Sequence, residues 1–207
     1  MNREIFLKWF RINILFLVGA FIVALFLASL FPDTTLGFVR SWGARSRLVS
    51  STLFGEATSK HVLFSRVFAW NGLVLVLCFM ASLFLLAPLV SVIMGAFYSL
   101  GLMSAIDHFV KGEIWYPLWS SPVLISVEAS FILLAITFAS ALATEIFGVK
   151  PERKDIMVFW RKNWKKLFPA QKRKWRIVFD ENKKELILFI IILLALLLFG
   201  AWFEVTI

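Results

Sequence analysis

Hydrophobic residues follow one another in long unbroken runs along most of this chain. A helix needs about 20 apolar residues to cross the hydrocarbon core of a bilayer. Residues 67–106 contain no charged side chain, and as a single helix they would measure about 60 Å, twice the ~30 Å thickness of that core. This stretch therefore predicts two membrane-spanning helices that fold back on each other.

Pro88 is the expected turning point between these two helices, because proline removes a helical hydrogen bond and clashes with the preceding turn. The predicted spans are residues 67–87 and 89–106, and three further apolar runs predict spans at residues 12–31, 122–147 and 186–203. We therefore expect an all-α, multispanning membrane helical bundle. Its five transmembrane helices and some interfacial amphipathic helices would form a single membrane domain over residues 1–207.

The composition excludes an ordinary water-soluble domain. Hydrophobic residues make up 60% of the chain and the mean hydropathy is +0.85, whereas soluble domains contain roughly 45–50% apolar residues. The aromatic content of 16% also excludes a disordered chain. The single cysteine, Cys78, rules out an intrachain disulfide framework.

The distribution of basic residues predicts the orientation. The formal net charge is +9, and 16 of the 22 Lys and Arg residues lie either in the first 11 residues or in residues 148–185. With five spans these two regions share one face, and basic residues are retained on the cytoplasmic side. We expect a multi-pass plasma-membrane protein with a cytoplasmic amino terminus and an external carboxyl terminus.

The predicted basic cytoplasmic loop, residues 148–185, carries most of the net charge. Aromatic residues recur at helical spacing between its basic ones, as expected for a helix lying against anionic lipid headgroups. The proposed lipid-surface residues are Trp160, Arg161, Lys162, Trp164, Lys165 and Lys166. The alternative is that these charges only fix the topology. Nucleic acid is not expected as a partner, because the aromatics needed for stacking would be committed to the membrane.

The predicted outer surface segment covers residues 32–66. Phe38, Trp42, Val49 and Leu53 fit one face of a helix that begins near residue 34 or 35. This helix would anchor the bundle at the outer surface, or would provide a docking surface for an extracytoplasmic partner.

Polar residues within the spans are the candidate functional residues, since an ionised group at bilayer depth costs roughly 2.5–3.5 kcal/mol. With the predicted orientation, Asn71, Glu128 and Glu204 share one depth near the outer face. We expect Asn71 and Glu128 to meet inside the bundle with Glu204 nearby. Such an intramembrane polar cluster could link helices, conduct protons or ions, or contact another subunit. Glu145 is expected to be a solvated helix end.

Small residues at four-residue steps indicate close helix packing. They include Gly95, Ser99 and Met103, and Gly101 with Ala105, in the third span, and the row Ala135, Ala139 and Ala143 in the fourth. Packing inside one chain and packing between copies give the same pattern, so a homo-oligomer remains an open alternative.

No catalytic motif is present in the sequence. The two histidines, His61 and His108, lie far apart and lack neighbouring ligands at metal spacing. There is no glycine-rich phosphate loop or nucleophile-elbow serine motif. We expect a non-enzymatic protein without a metal or cofactor.

Four sets of residues carry a resemblance to a known family: residues 66–71 (RVFAWN), Gly95 with Gly101, residues 128–129 (EA) and residues 201–204 (AWFE). In these positions the chain resembles the stage II sporulation protein M family of integral membrane proteins. The chain departs from the family pattern at Gly72, where a second asparagine is common, and in residues 120–126, which replace a usual His-Gly ahead of the glutamate.

The resemblance implies a non-enzymatic scaffold, since in endospore formers the family member recruits peptidoglycan-degrading partners at the membrane. The family also occurs in organisms that make no spores. We therefore expect a scaffold or accessory subunit that holds other membrane or extracytoplasmic proteins in a membrane complex. The alternatives are a small permease or channel subunit using Glu128, and an accessory subunit of a larger respiratory or secretion assembly.

Overall fold

The computed structural model describes residues 2–38, 41, 59–112, 120–149, 151–152, 155–156 and 172–206. Every regular element in these ranges is a helix. The six main helices are α1 (Arg3–Leu30), α2 (Lys60–Leu83), α3 (Ala87–Val110), α4 (Ser120–Phe147), α5 (Lys172–Glu181) and α6 (Lys183–Thr206). All but α5 are long and apolar enough to cross a membrane. The predicted all-α bundle with five spans is thus confirmed.

The helices extend beyond the apolar runs, because hydropathy marks what lipid covers and capping decides where a helix begins. Asn2 caps α1 by accepting a hydrogen bond from the backbone of Glu4. Ser59 caps α2 in the same way through the backbone of Val62. Residues 60–66 consequently belong to α2, which extends into the predicted outer surface segment.

The remainder of the predicted outer segment is described only in part. Residues 32–38 are helical, so this helix begins two residues before the predicted start at residue 34. Three of the four residues predicted to form its apolar face, Trp42, Val49 and Leu53, lie outside the described residues.

The turn between α2 and α3 lies just before Pro88, which occupies the first turn of α3. Proline is tolerated there because the backbone N–H it lacks would have no helical acceptor. The chain reverses over residues 84–86, where Leu85 adopts a left-handed backbone conformation with φ of 61°. Its side chain is buried, so burial of the leucine compensates for the backbone strain.

Helix α4 lies at the centre of the bundle and contacts each of the other five helices. Ala135, Ala139 and Ala143 are completely buried on it, which confirms the predicted packing row and places it inside the chain. The most extensive helix contact joins α1 to α3. At its closest point Gly95 lies against the backbone of α1, whereas Gly101 has no neighbour within 4 Å of a built Cβ.

The bundle has two ends, which we call the basic face and the opposite face. Asn2, the turn at residues 84–86, the end of α4 and the start of α6 define the basic face, and α2, α4 and α6 reach the opposite face at Lys60, Ser120 and Thr206. Most of the buried residues of α2, α3 and α4 lie in the half nearer the basic face; the exceptions are Ser99, Ser120 and residues 131–133. The half towards the opposite face is therefore less tightly packed.

The outer surface of the bundle is apolar, as a lipid-facing surface must be. Leu15 and Phe26 of α1 are 72% and 61% exposed, and Ile191 of α6 is 58% exposed. Water-soluble monomers rarely expose apolar surface so continuously. The exposed apolar side chains thus agree with the membrane placement inferred from the sequence.

The predicted basic loop is partly helical, which corrects its description as a loop up to residue 185. Residues 172–181 form α5 and α6 begins at Lys183, with Asn182 between them. The proposed lipid-surface residues Trp160, Arg161, Lys162, Trp164, Lys165 and Lys166 lie outside the described residues.

Candidate functional site

Two of the predicted polar residues are in contact near the opposite face. Asn71 lies in the first half of α2 and Glu128 in the first half of α4, on neighbouring helices that run parallel. The Asn71 Nδ2 atom donates a hydrogen bond to Glu128 Oε1 at 3.4 Å. Both side chains are half-buried. Their hydrogen bond satisfies part of the hydrogen-bonding capacity of each side chain where water is scarce. It also links the two helices.

Glu204 lies at the same end of the bundle, near the end of α6. Its carboxylate is close enough to that of Glu128 for the two charges to interact. Glu204 is exposed on the surface of the chain, and no hydrogen bond or ion pair joins it to another described residue. The site therefore contains one carboxylate held by a neighbour and one that faces outward.

Tyr98 of α3 completes this polar layer, which we define as Asn71, Tyr98, Glu128 and Glu204. Its side chain is 4% exposed and lies within the range of the Glu128 charge. The sequence analysis missed Tyr98 because its ring fits the apolar run of the third span. The sequence did contain one indication, because the hydroxyl group of a tyrosine within a span normally has a polar partner.

Asp107 and His108, which lie beyond the polar layer at the end of α3, have local partners. Asp107 pairs with Lys111 one turn further along, and the Nδ1 atom of His108 lies 2.8 Å from the carbonyl oxygen of Ser104. These contacts cap and close the helix end. The polar layer, in contrast, contains side chains from four different helices.

A second set of buried polar residues joins α1 to α4 closer to the basic face. The indole Nε1 of Trp9 donates a hydrogen bond to the Thr144 hydroxyl at 2.8 Å, and Asn13 Nδ2 donates to the Thr137 hydroxyl at 3.3 Å. All four residues are buried. Because each bond joins α1 to the central helix, this set fixes α1 in the bundle.

Glu145 is a structural link, and its description as a solvated helix end was wrong. Its Oε1 atom accepts a hydrogen bond from the backbone N–H of Asn2 at 3.1 Å. Its Oε2 atom accepts from the side-chain nitrogen of Asn182 at 3.0 Å. One carboxylate thus joins the start of α1, the end of α4 and the α5–α6 junction. The sequence could not show this, since the three partners are far apart along the chain.

Within the described ranges no cluster of three or more His, Cys, Asp or Glu side chains could hold a metal ion. Cys78 is a buried free thiol.

The fold and the polar layer define a class: an all-α, multi-pass membrane bundle with interacting polar side chains near one end. Comparison of the chain with protein-family models, with curated proteins and with solved structures found no match.

Proposed function

We propose that the protein is a non-enzymatic membrane scaffold or accessory subunit that holds another membrane protein against the polar layer. The proposal rests chiefly on Glu204. This residue follows Leu186 by 18 positions, about 27 Å of helix, and so lies near the edge of a ~30 Å hydrocarbon core. A donor or positive charge that reaches this carboxylate on the apolar surface would offset the desolvation of its charge. A partner helix that supplies this group would be held at Glu204.

The packing of the bundle supports the same conclusion. The half that contains the polar layer has few buried residues in α2, α3 and α4. Asn71 and Glu128 are only half-buried there. A second protein could cover this half without displacing a packed core. The resemblance to the stage II sporulation protein M family, whose members organise other proteins, points in the same direction.

A carrier using Glu128 is less well supported. Between the polar layer and the basic face, α4 contributes the completely buried apolar residues Ile136, Leu142 and Ile146. Asn13 and Thr137, which are buried in this half, hydrogen-bond to each other. A solute pathway normally has a polar lining from one face to the other. We further propose that the membrane is the plasma membrane and that the basic face is cytoplasmic, by the positive-inside rule.

The test is co-purification from native membranes in mild detergent, with reversal of one charge in the polar layer. We expect a stoichiometric membrane partner with the wild-type protein and its loss with Glu204→Lys. Glu181→Lys is the matched control, since Glu181 is an exposed glutamate at the other end of the bundle, and should retain the partner.

A parallel flux assay in liposomes separates the two functions. A scaffold predicts no proton or ion flux. Flux that disappears on Glu128→Gln, or equal partner recovery from both charge-reversal variants, contradicts the proposal.

A further inference from the structure

An apolar groove lies between α2 and α6 on the surface of the bundle. Its volume is about 440 Å³, within the range of small-molecule sites. Its lining includes Phe68, Gly72 and Phe79 of α2 and Leu186, Ile190 and Leu197 of α6. The groove does not involve the polar layer, so its role is independent of the scaffold function proposed above.

Gly72 leaves part of the groove open because it has no side chain. A Cβ atom added at Gly72 would meet nothing within 4 Å. The large residues beside Gly72 on α2 and those on α6 therefore border an open groove. This open space also means that a larger side chain could be introduced at position 72 without a clash.

The length of the groove matches one leaflet of a bilayer. From Leu186 to Leu197 along α6 it extends about 16 Å, roughly half of a ~30 Å hydrocarbon core. A lipid acyl chain reaches about this far, whereas a transmembrane helix of a partner would need a surface of full membrane depth. The dimensions thus favour a lipid over a protein helix.

Positive charge lies at the end of the groove nearest the basic face. Phe179 of α5 closes that end. Lys183 is exposed and precedes Leu186 by three residues and Ile190 by seven, so it lies on the groove side of α6. Residues 172–186 contain six basic and three acidic side chains, and one of the acidic ones, Asp180, is 3.8 Å from Arg176.

We propose that this groove binds one acyl chain of an anionic phospholipid from the leaflet at the basic face, with the headgroup phosphate against Lys183. The acyl chain would replace loosely packed contacts along the groove with continuous apolar ones. The lysine ammonium would donate hydrogen bonds to the phosphate oxygens. The apolar groove provides affinity, and the charge at its end provides preference for an anionic headgroup.

The experiment is native mass spectrometry of the full chain, purified in detergent and titrated with phosphatidylglycerol or with phosphatidylcholine of identical acyl chains. We expect one phosphatidylglycerol to bind in preference. Gly72→Leu should lower the affinity for phosphatidylglycerol about tenfold, since each methylene of the acyl chain that is excluded from the groove lowers the affinity about fourfold. Gly101→Leu is the matched control, because position 101 also has open space around it but does not line the groove.

Lys183→Gln tests the headgroup contact separately. It should abolish the preference for phosphatidylglycerol while total lipid binding remains. The proposal is overturned if Gly72→Leu binds lipid as the wild type does, if Lys183→Gln keeps the preference, or if Gly72→Leu changes the oligomeric state and not the bound lipid. The last result would assign the groove to a second copy of the chain.

Discussion

Replacing Gly95 with alanine tests how α1 packs against α3. A Cβ atom at position 95 would overlap the backbone oxygen of Leu17, and would lie 3.0 Å from the Leu17 carbonyl carbon and 3.1 Å from the backbone nitrogen of Phe21. All three are backbone atoms, so no side-chain rotation can relieve the overlap. The two helices must move apart, and the packing between them must loosen.

The expected magnitude follows from two opposing effects. Overpacking a well-filled contact costs about 1–3 kcal/mol, while alanine is about 0.5–1 kcal/mol better than glycine inside a helix. Since the overlap is with backbone atoms, we expect an overpacking cost near the upper end of this range. The net loss in the free energy of unfolding should be about 2 kcal/mol. Gly101→Ala is the control, because its added Cβ meets nothing within 4 Å. Only the stability gained by replacing glycine with alanine inside a helix should remain.

The assay is reversible unfolding in mixed micelles, in which a denaturing detergent is titrated against a mild one and tryptophan fluorescence reports the folded fraction. Gly95→Ala should unfold at a lower fraction of denaturing detergent than the wild type, and Gly101→Ala at the same or a higher fraction. Equal stability of the two alanine variants would refute the close approach of α1 to α3.

Three further predictions concern single contacts and use the same unfolding assay or hydrogen exchange. Trp9→Phe should cost about 1 kcal/mol beyond any packing change, and Thr144→Val somewhat more because it also removes the bond that the Thr144 hydroxyl donates to the Ser140 carbonyl; the two losses should be non-additive when combined, because both variants remove the Trp9–Thr144 bond, and additive losses would contradict that bond. For Leu85 we expect stability to fall in the order wild type, Leu85→Gly, Leu85→Ala, with roughly 1 kcal/mol between the variants, because glycine relieves the left-handed strain that alanine keeps; the reverse order would argue against that strain. Glu145→Ala should raise amide exchange at the start of α1 and at the α5–α6 junction about tenfold, since a charged acceptor is lost, and unchanged protection would show that Glu145 links neither.

The sequence predicted the spans because the lipid requirement acts locally. An apolar run of the right length, such as residues 186–203, identifies a crossing helix without knowledge of its neighbours. Helix ends were less predictable. The caps at Asn2 and Ser59 lie outside the apolar runs, so α1 and α2 begin nine and seven residues before the predicted spans at Ile12 and Val67.

The candidate site was predictable where polarity stood out against its surroundings. Asn71 and Glu128 could be paired because each is polar within an apolar run and both lie at a similar depth. Tyr98 and Trp9 could not be found in the same way, since their rings fit an apolar span and their polar atoms matter only once a partner is known. The structural role of Glu145 depends on Asn182, which lies 37 residues later.

The most direct test of the five-span bundle is the sidedness of the two chain ends in sealed membrane vesicles. Single cysteines introduced at Asn2 and at Thr206, with Cys78→Ala removing the native thiol, would be treated with a membrane-impermeant thiol reagent. The structure predicts that the two positions are labelled from opposite sides of the membrane. Labelling of both positions from the same side would require an even number of crossings and would contradict the bundle described above.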